Sequence, residues 1–187
     1  MSIEALLDES ALVARAKAEP CAFADLYDHY FPRVYNYVRY RVRYAETADD
    51  VTAQIFERAL INIVTYRPDR GAFADWLFAI ARNCVRDHIR GEKRTRWLSL
   101  ESLCEQPGND PAPEEVVVRN ETHEFLRAAV ADLSEREQEV VSLKFAAGLT
   151  NRAIAGLCRL KEGHVAVILY RAIRRLRRRL SDAEEEL

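Results

Sequence analysis

The chain has 187 residues with 28 basic and 30 acidic side chains, 49% hydrophobic and 31% charged content, and a formal net charge of -2. This mixture excludes a disordered chain and fits one domain or two small ones, each able to bury a core of modest stability. The opening residues lack the basic-then-apolar order of a signal peptide, and no apolar run approaches the ~20 residues of a membrane helix, so the sequence predicts a cytoplasmic protein without membrane insertion.

Helical periodicity dominates from the start, and no stretch shows the two-residue alternation of a strand. An opening helix is predicted over Ile3–Lys17. Phe23, Leu26, Tyr27, Tyr30, Val34, Val38 and Val42 then mark one side of a long segment that Pro32 is expected to bend or restart. Thr47 with Asp50 resembles a capping box, opening a helix through about Val64. Arg67-Pro68-Asp69-Arg70-Gly71 supplies the turn that ends it. The clearest helix is predicted from Phe73 to about Arg90, with Phe73, Trp76, Leu77, Ile80, Ala81, Cys84, Val85, His88 and Ile89 on its apolar face. Arg82, Arg86 and Arg90, spaced by four, form a row away from that face.

From Ser99 to Pro113 the periodicity stops, and Pro107, Gly108, Asn109, Pro111 and Pro113 read as a linker. Helices resume around Glu114–Ala131. Ser134 with Glu137 forms a capping box ahead of Val140, Val141, Leu143 and Phe145, and Gly148 is placed to stop that helix. Thr150 can cap a short helix carrying Ile154, Ala155 and Leu157. After a turn near Arg159–Glu162, a last helix carries Val165, Leu169, Ala172, Ile173, Leu176 and Leu180.

Charge is distributed in blocks. Six basic residues fall between Arg82 and Arg96, five acidic and no basic residues between Trp97 and Val118, and six arginines between Arg171 and Arg179. Alternating blocks suggest one surface for phosphates and another for a basic partner. Cys21, Cys84, Cys104 and Cys158 form no CxxC pair, and Cys84 with His88 falls on an apolar helix face, which favours core packing over metal binding. No phosphate-cradling glycine loop, metal cluster or nucleophile–base pair stands out. No enzyme activity, cofactor or metal is therefore expected.

Two constellations point to nucleic acid. The capped helix, tight turn and amphipathic helix after Thr150 have the form of a helix–turn–helix, with Lys161, His164 and Val167 at the front of the second helix and Arg171, Arg174 and Arg175 as phosphate anchors. Its bland counterpart is a helical hairpin with a solvated basic face. Arg82, Asn83, Arg86, Arg90, Lys93 and Arg94 could track a phosphate backbone beside Arg67, with Tyr66, Phe73 and Trp76 offering rings to an unstacked base. A solvated arginine row is the competing reading there.

The run Ala48-Asp49-Asp50-Val51-Thr52-Ala53-Gln54-Ile55-Phe56 resembles the polymerase-binding helix of extracytoplasmic-function sigma factors. Trp76-Leu77-Phe78-Ala79-Ile80-Ala81-Arg82-Asn83, continued by Asp87, Arg90, Lys93 and Arg94, resembles their promoter-melting and minus-ten-reading region. Leu133-Ser134-Glu135-Arg136-Glu137, with Ile154-Ala155 and Val165, resembles their minus-thirty-five-reading domain. The resemblance implies an all-α protein of two small helical domains joined by a flexible acidic linker, with domains at 1–98 and 119–187 and the linker at 99–118. It also implies that Asp49, Asp50, Gln54 and Glu57 dock on the largest subunit of core RNA polymerase, and that the last domain meets the second-largest subunit and promoter DNA. An anti-sigma factor or another protein is a further partner of the kind the family takes.

The sequence departs from the family pattern at Ala153, where Glu is common, and at Lys161, Glu162, Gly163, His164, Ala166, Val167 and Ile168. There the front of the last helix loses polar groups and gains apolar ones, which predicts shallow reading of the minus-thirty-five element or binding of a protein by that face. A stand-alone helix–turn–helix regulator is the alternative, since Leu133–Leu176 also resembles the output domain of response regulators. The missing β/α receiver pattern counts against it.

Overall fold

The computed structural model describes residues 3–99 and 125–184. The expected linker and the start of the helix predicted from Glu114 lie outside the described residues. Those described are helical, with no strand among them: α1 (Ile3–Ala18), α2 (Phe23–Arg39), α3 (Ala45–Asn62), α4 (Phe73–Ser99), α5 (125–131), α6 (Glu135–Val141), α7 (Asn151–Cys158) and α8 (Glu162–Glu184).

Helices α1 to α4 enclose the first core. Phe23, Leu26, Tyr30, Val34, Tyr37 and Val38 bury one side of α2. The helix runs through Pro32 without restarting, contrary to the sequence expectation. Pro32 itself is exposed, and burying large side chains at ~1.5–3 kcal/mol each outweighs the ~3 kcal/mol of a proline in a helix interior. Helix α3 begins earlier than expected. Tyr44 is its N-cap with no side-chain cap bond, and Thr47 lies inside the first turn, so the expected Thr47–Asp50 box does not form. Ala48 is fully buried, which draws the preceding residues into the helix.

Helix α4 continues past the expected end near Arg90, through Gly91, to Ser99. His88 Nε2 lies 3.2 Å from Glu92 one turn on, and Lys93 pairs with Glu135. These ties help to offset the ~1 kcal/mol cost of a mid-helix glycine.

The second core is made by α5 to α8. Ser134 caps α6 in a complete box: Glu137 N–H donates to Ser134 Oγ, and the Ser134 backbone N–H donates to Glu137 Oε2 at 3.1 Å. The helix then widens into a π turn over Ser142–Ala146, with Ala147 N–H reaching Ser142 O at 3.0 Å. That extra residue rotates Phe145 off the apolar stripe, and the ring expected in the core is 62% exposed. Gly148 ends the segment at φ +68°, a conformation that favours glycine. Thr150 caps α7 by accepting from Ala153 N–H at 3.1 Å, and left-handed Arg159 makes the turn into α8. Val165, Ile168, Leu169 and Ala172 bury α8 against α6 and α7. The buried residues of both units join into one continuous cluster.

Candidate nucleic-acid interface

Helix α3 turns Ala48, Val51, Thr52, Ile55, Phe56 and Ala59 inward. Asp49, Asp50, Gln54 and Glu57 consequently share the solvent face, all exposed as the sequence placed them. Just beyond them the structure exposes an apolar patch that the sequence reading missed: Leu60, Ile61 and Val64, the last two 68% exposed. The signal was present, since Ile61 and Val64 fall off the stripe that begins at Ala48.

On α4, Asn83, Arg90, Lys93 and Arg94 are exposed and Arg86 is half-exposed. Arg82 does not belong to that open row. Its Nε donates to Glu139 Oε1 at 2.9 Å, and the two side chains are only 15% and 14% exposed. Burial alone would lower the guanidinium's pKa, but the charge and hydrogen bond of Glu139 more than offset it, so the pKa is raised and Arg82 stays charged. The physical reason is a second buried stripe on α4. Phe78, absent from the predicted apolar face, is fully buried, and one turn later Arg82 meets the last unit. Lys93 is likewise engaged, with Glu135.

Beside the start of α4 is an open cleft of about 490 Å³ lined by Thr65, Tyr66, Arg67, Arg70, Asp75 and Trp76. The Tyr66 and Trp76 ring centroids are 5.8 Å apart, and those of Phe73 and Trp76 5.3 Å. Tyr66 is held at both ends: its hydroxyl donates to Gly71 O at 3.0 Å, and Lys17 Nζ donates to its carbonyl at 2.6 Å. Burial and the nearby Glu9 hold the Asp75 carboxyl above the usual range. Arg67 is exposed beside Asp69 at 3.7 Å. Phe73 and Tyr66 are both buried, contrary to the expectation that they offer open rings, whereas Trp76 is half-buried and the most accessible of the three.

In the helix–turn–helix, Thr150, Lys161, His164, Val167, Arg171, Arg174 and Arg175 are all exposed. Arg175 is not simply an anchor, because its Nη1 donates to Glu137 Oε2 at 2.9 Å. Burial would raise the pKa of the Glu137 carboxyl, but the Ser134 bonds and the Arg175 charge bring it below the usual range. Ile168, expected at the surface, is 8% exposed because it follows Val165 by three residues and shares its buried face. Tyr170, 67% exposed, takes its place beside Val167. The i, i+3 spacing of Val167 and Tyr170 was the available signal.

Residues 26–95 match the family model for sigma-70 region 2, and residues 124–176 match that for sigma-70, region 4. The ECF RNA polymerase sigma factor BldN of Streptomyces coelicolor is 37% identical over 172 residues, covering 91% of this chain and 65% of BldN. The chain belongs to the extracytoplasmic-function sigma factors of the sigma-70 family.

As a sigma factor it directs promoter-specific transcription with RNA polymerase. The sigma factor RpoE of Cereibacter sphaeroides is 29% identical over 171 residues, with 89% of this chain and 91% of RpoE covered. The fold is shared with CnrH solved in complex with the cytosolic domain of CnrY, at TM-score 0.70 and 23% identity over 94% of this sigma factor and 97% of that chain. It is also shared with RpoE from Bartonella quintana, solved with the anti-sigma factor NepR, at TM-score 0.69 and 20% identity over 85% and 96% of the two chains. Among the described residues of this sigma factor, no helix is long and apolar enough to cross a membrane. Cys84 is buried, its thiol pushed up by burial, and among the described residues no group of three or more potential ligands that includes it or His88 is arranged to hold a metal.

Proposed function

We propose that this sigma factor docks on the largest subunit of core RNA polymerase with Asp49, Asp50, Gln54 and Glu57, and melts and reads the minus-ten element with Asn83, Arg86, Arg90, Arg94 and the ring cleft at Tyr66 and Trp76. It works in the cytoplasm through residues 1–98 and 119–187 joined by 99–118, and captures unstacked bases without covalent chemistry. The observation that carries this reading is the separation of faces within one small helical unit. Exposed carboxylates line α3, exposed guanidiniums line α4, and a cleft with aromatic walls lies beside the latter.

Replacing Arg86 and Arg90 by Ala tests it. Open-complex formation by the reconstituted holoenzyme should fall about tenfold or more, while stability changes within about ±0.5 kcal/mol, as for most surface sites. The salt dependence of promoter binding should flatten by roughly 0.9 for each phosphate that is no longer neutralised. Equal slopes for variant and wild type would remove these arginines from the DNA interface.

A second reading of the last domain is favoured by Val167 and Tyr170, which place apolar surface where base-edge donors would be expected. An anti-sigma factor or similar protein would cover such a face, leaving the minus-thirty-five element weakly read. Scrambling the upstream element should then cost transcription much less than scrambling the downstream one. A steep base-by-base preference upstream that His164→Ala abolishes would argue for full DNA readout by this helix.

A further inference from the structure

The end of α2 carries an arginine at every second position. Arg39 closes the helix, and Arg41 and Arg43 follow in the turn toward α3. Arg127 of α5 joins them from the last unit. The four line an open cleft of about 460 Å³ together with Tyr40 and Gln138, and among the described residues no carboxylate shares that lining.

The bonds already made there leave most of the charge unanswered. Arg41 Nη1 donates to Glu135 O and Gln138 Oε1, each at 3.2 Å, and both acceptors are neutral. Its Nε is buried without a partner, as is one terminal nitrogen, Nη1, of Arg39. The Arg43 guanidinium lies 5.5 Å from the centroid of the Tyr44 ring. Glu135 is near enough for Arg41 to help lower its carboxyl, but Lys93 holds that carboxylate. Burial and the Arg39 charge keep the Arg127 guanidinium below the usual arginine range. The dipole of α2 suits a cation at its carboxyl end, which accounts for Arg39 and not for the other three. Donors left unmatched in this way cost free energy until an acceptor arrives.

We infer that this cleft binds a small polyphosphate, inorganic or carried by a nucleoside, held between the turn after α2 and helix α5. Every cation in the lining is an arginine. The guanidinium fork donates to phosphate oxygens in pairs, which the point charge of lysine does not. A polyphosphate brings several negative charges against four guanidiniums, whereas a single phosphate would leave most of them unmatched. The volume is that of a small-molecule site. Tyr40, half-buried in the wall, offers a ring to a nucleoside. None of these residues belongs to the faces proposed above for polymerase or promoter DNA.

Calorimetric titration of the full-length protein with sodium tripolyphosphate, in magnesium-free buffer, is the test. One molecule should bind per chain with a Kd on the order of 10 μM, and orthophosphate about tenfold more weakly or worse. R39Q/R43Q should weaken tripolyphosphate by about tenfold, with helicity checked by circular dichroism. Arg43→Gln alone, at an exposed position, should weaken it by about threefold and decides the matter if the double variant misfolds. R177Q/R178Q removes as much charge from the exposed face of α8 and should change affinity less than about twofold. Hydrogen exchange should show new protection at 39–44 and 125–131 on saturation. No binding, equal weakening by the two double variants, or protection confined to α8 would overturn the site. ATP distinguishes the sources of the phosphates. Binding about fivefold tighter than tripolyphosphate, lost in Tyr40→Ala, marks a nucleoside ligand, and equal or weaker binding marks the inorganic chain. A DNA single strand that protects both segments where tripolyphosphate does not would assign the cleft to nucleic acid and overturn the small-molecule site.

Discussion

Reversing Asp49 and Asp50 to Lys should weaken binding of core RNA polymerase by about 100-fold, as expected when two interfacial charge pairs worth roughly 1.5 kcal/mol each are broken. Both carboxylates are exposed, and the buried face of α3 is formed by their neighbours Ala48, Val51 and Thr52. They sit beyond the first turn of α3, which starts at Ala45, so the helix dipole loses little. Titration of labelled core polymerase, with circular dichroism as the folding control, reads the effect. Unchanged core affinity in the double variant would move the docking surface elsewhere, with the exposed Leu60, Ile61 and Val64 as the next candidates.

Phe78→Ala should cost about 3–5 kcal/mol in urea denaturation, a large share of the ~5–15 kcal/mol that holds a small domain together. The ring is fully buried, packs edge-on against Tyr37 at 5.8 Å, and lies 5.6 Å below the Arg33 guanidinium. Arg33 in turn bonds Ala147 across the two units, so the deletion loosens both the first core and its packing against the second. Phe145→Ala is the counterpart, since that ring is largely exposed and its removal should stay within about ±0.5 kcal/mol. A reversed order for the two rings would contradict the packing described for α4 and the π turn.

These two phenylalanines also mark where the sequence stopped being legible. Features encoded within a few residues were readable: the Ser134–Glu137 box, the Thr150 cap, the Gly148 stop and the exposed acidic face of α3. Those signals are local bonds or single-helix periodicities. Phe78 and Arg82 were misread because a one-helix pattern reveals its dominant stripe, whereas theirs is completed by residues far along the chain. Arg82 and Glu139 are 57 positions apart. Phe145 was misread for another reason, since one residue added by the π turn shifts the register and no side-chain type announces it. Pro32 was overweighted as a breaker and the end of α4 was placed too early, near Arg90, because tertiary burial and ion pairs decide such positions once the helix is packed. At the site, the exposed residues of α3 and α4 were found from spacing. The commitments of Arg82, Lys93 and Arg175 to carboxylates of the last unit required the three-dimensional arrangement.

The double hold on Tyr66 has a consequence for the energetics of capture. A free side chain gives up roughly 0.5–1.5 kcal/mol of rotational freedom when it is immobilised in a complex. Here the Gly71 carbonyl fixes the far end of the ring and the Lys17 ammonium fixes its backbone before any base arrives. The ordering cost of this wall is thus met during folding, and an incoming base bears mainly its own. Because Lys17 belongs to α1, the opening helix contributes to that rigidity at a distance. The first helix is in this sense part of the cleft, and the same Lys17 ammonium also lies over the Tyr66 ring, 5.3 Å from its centroid.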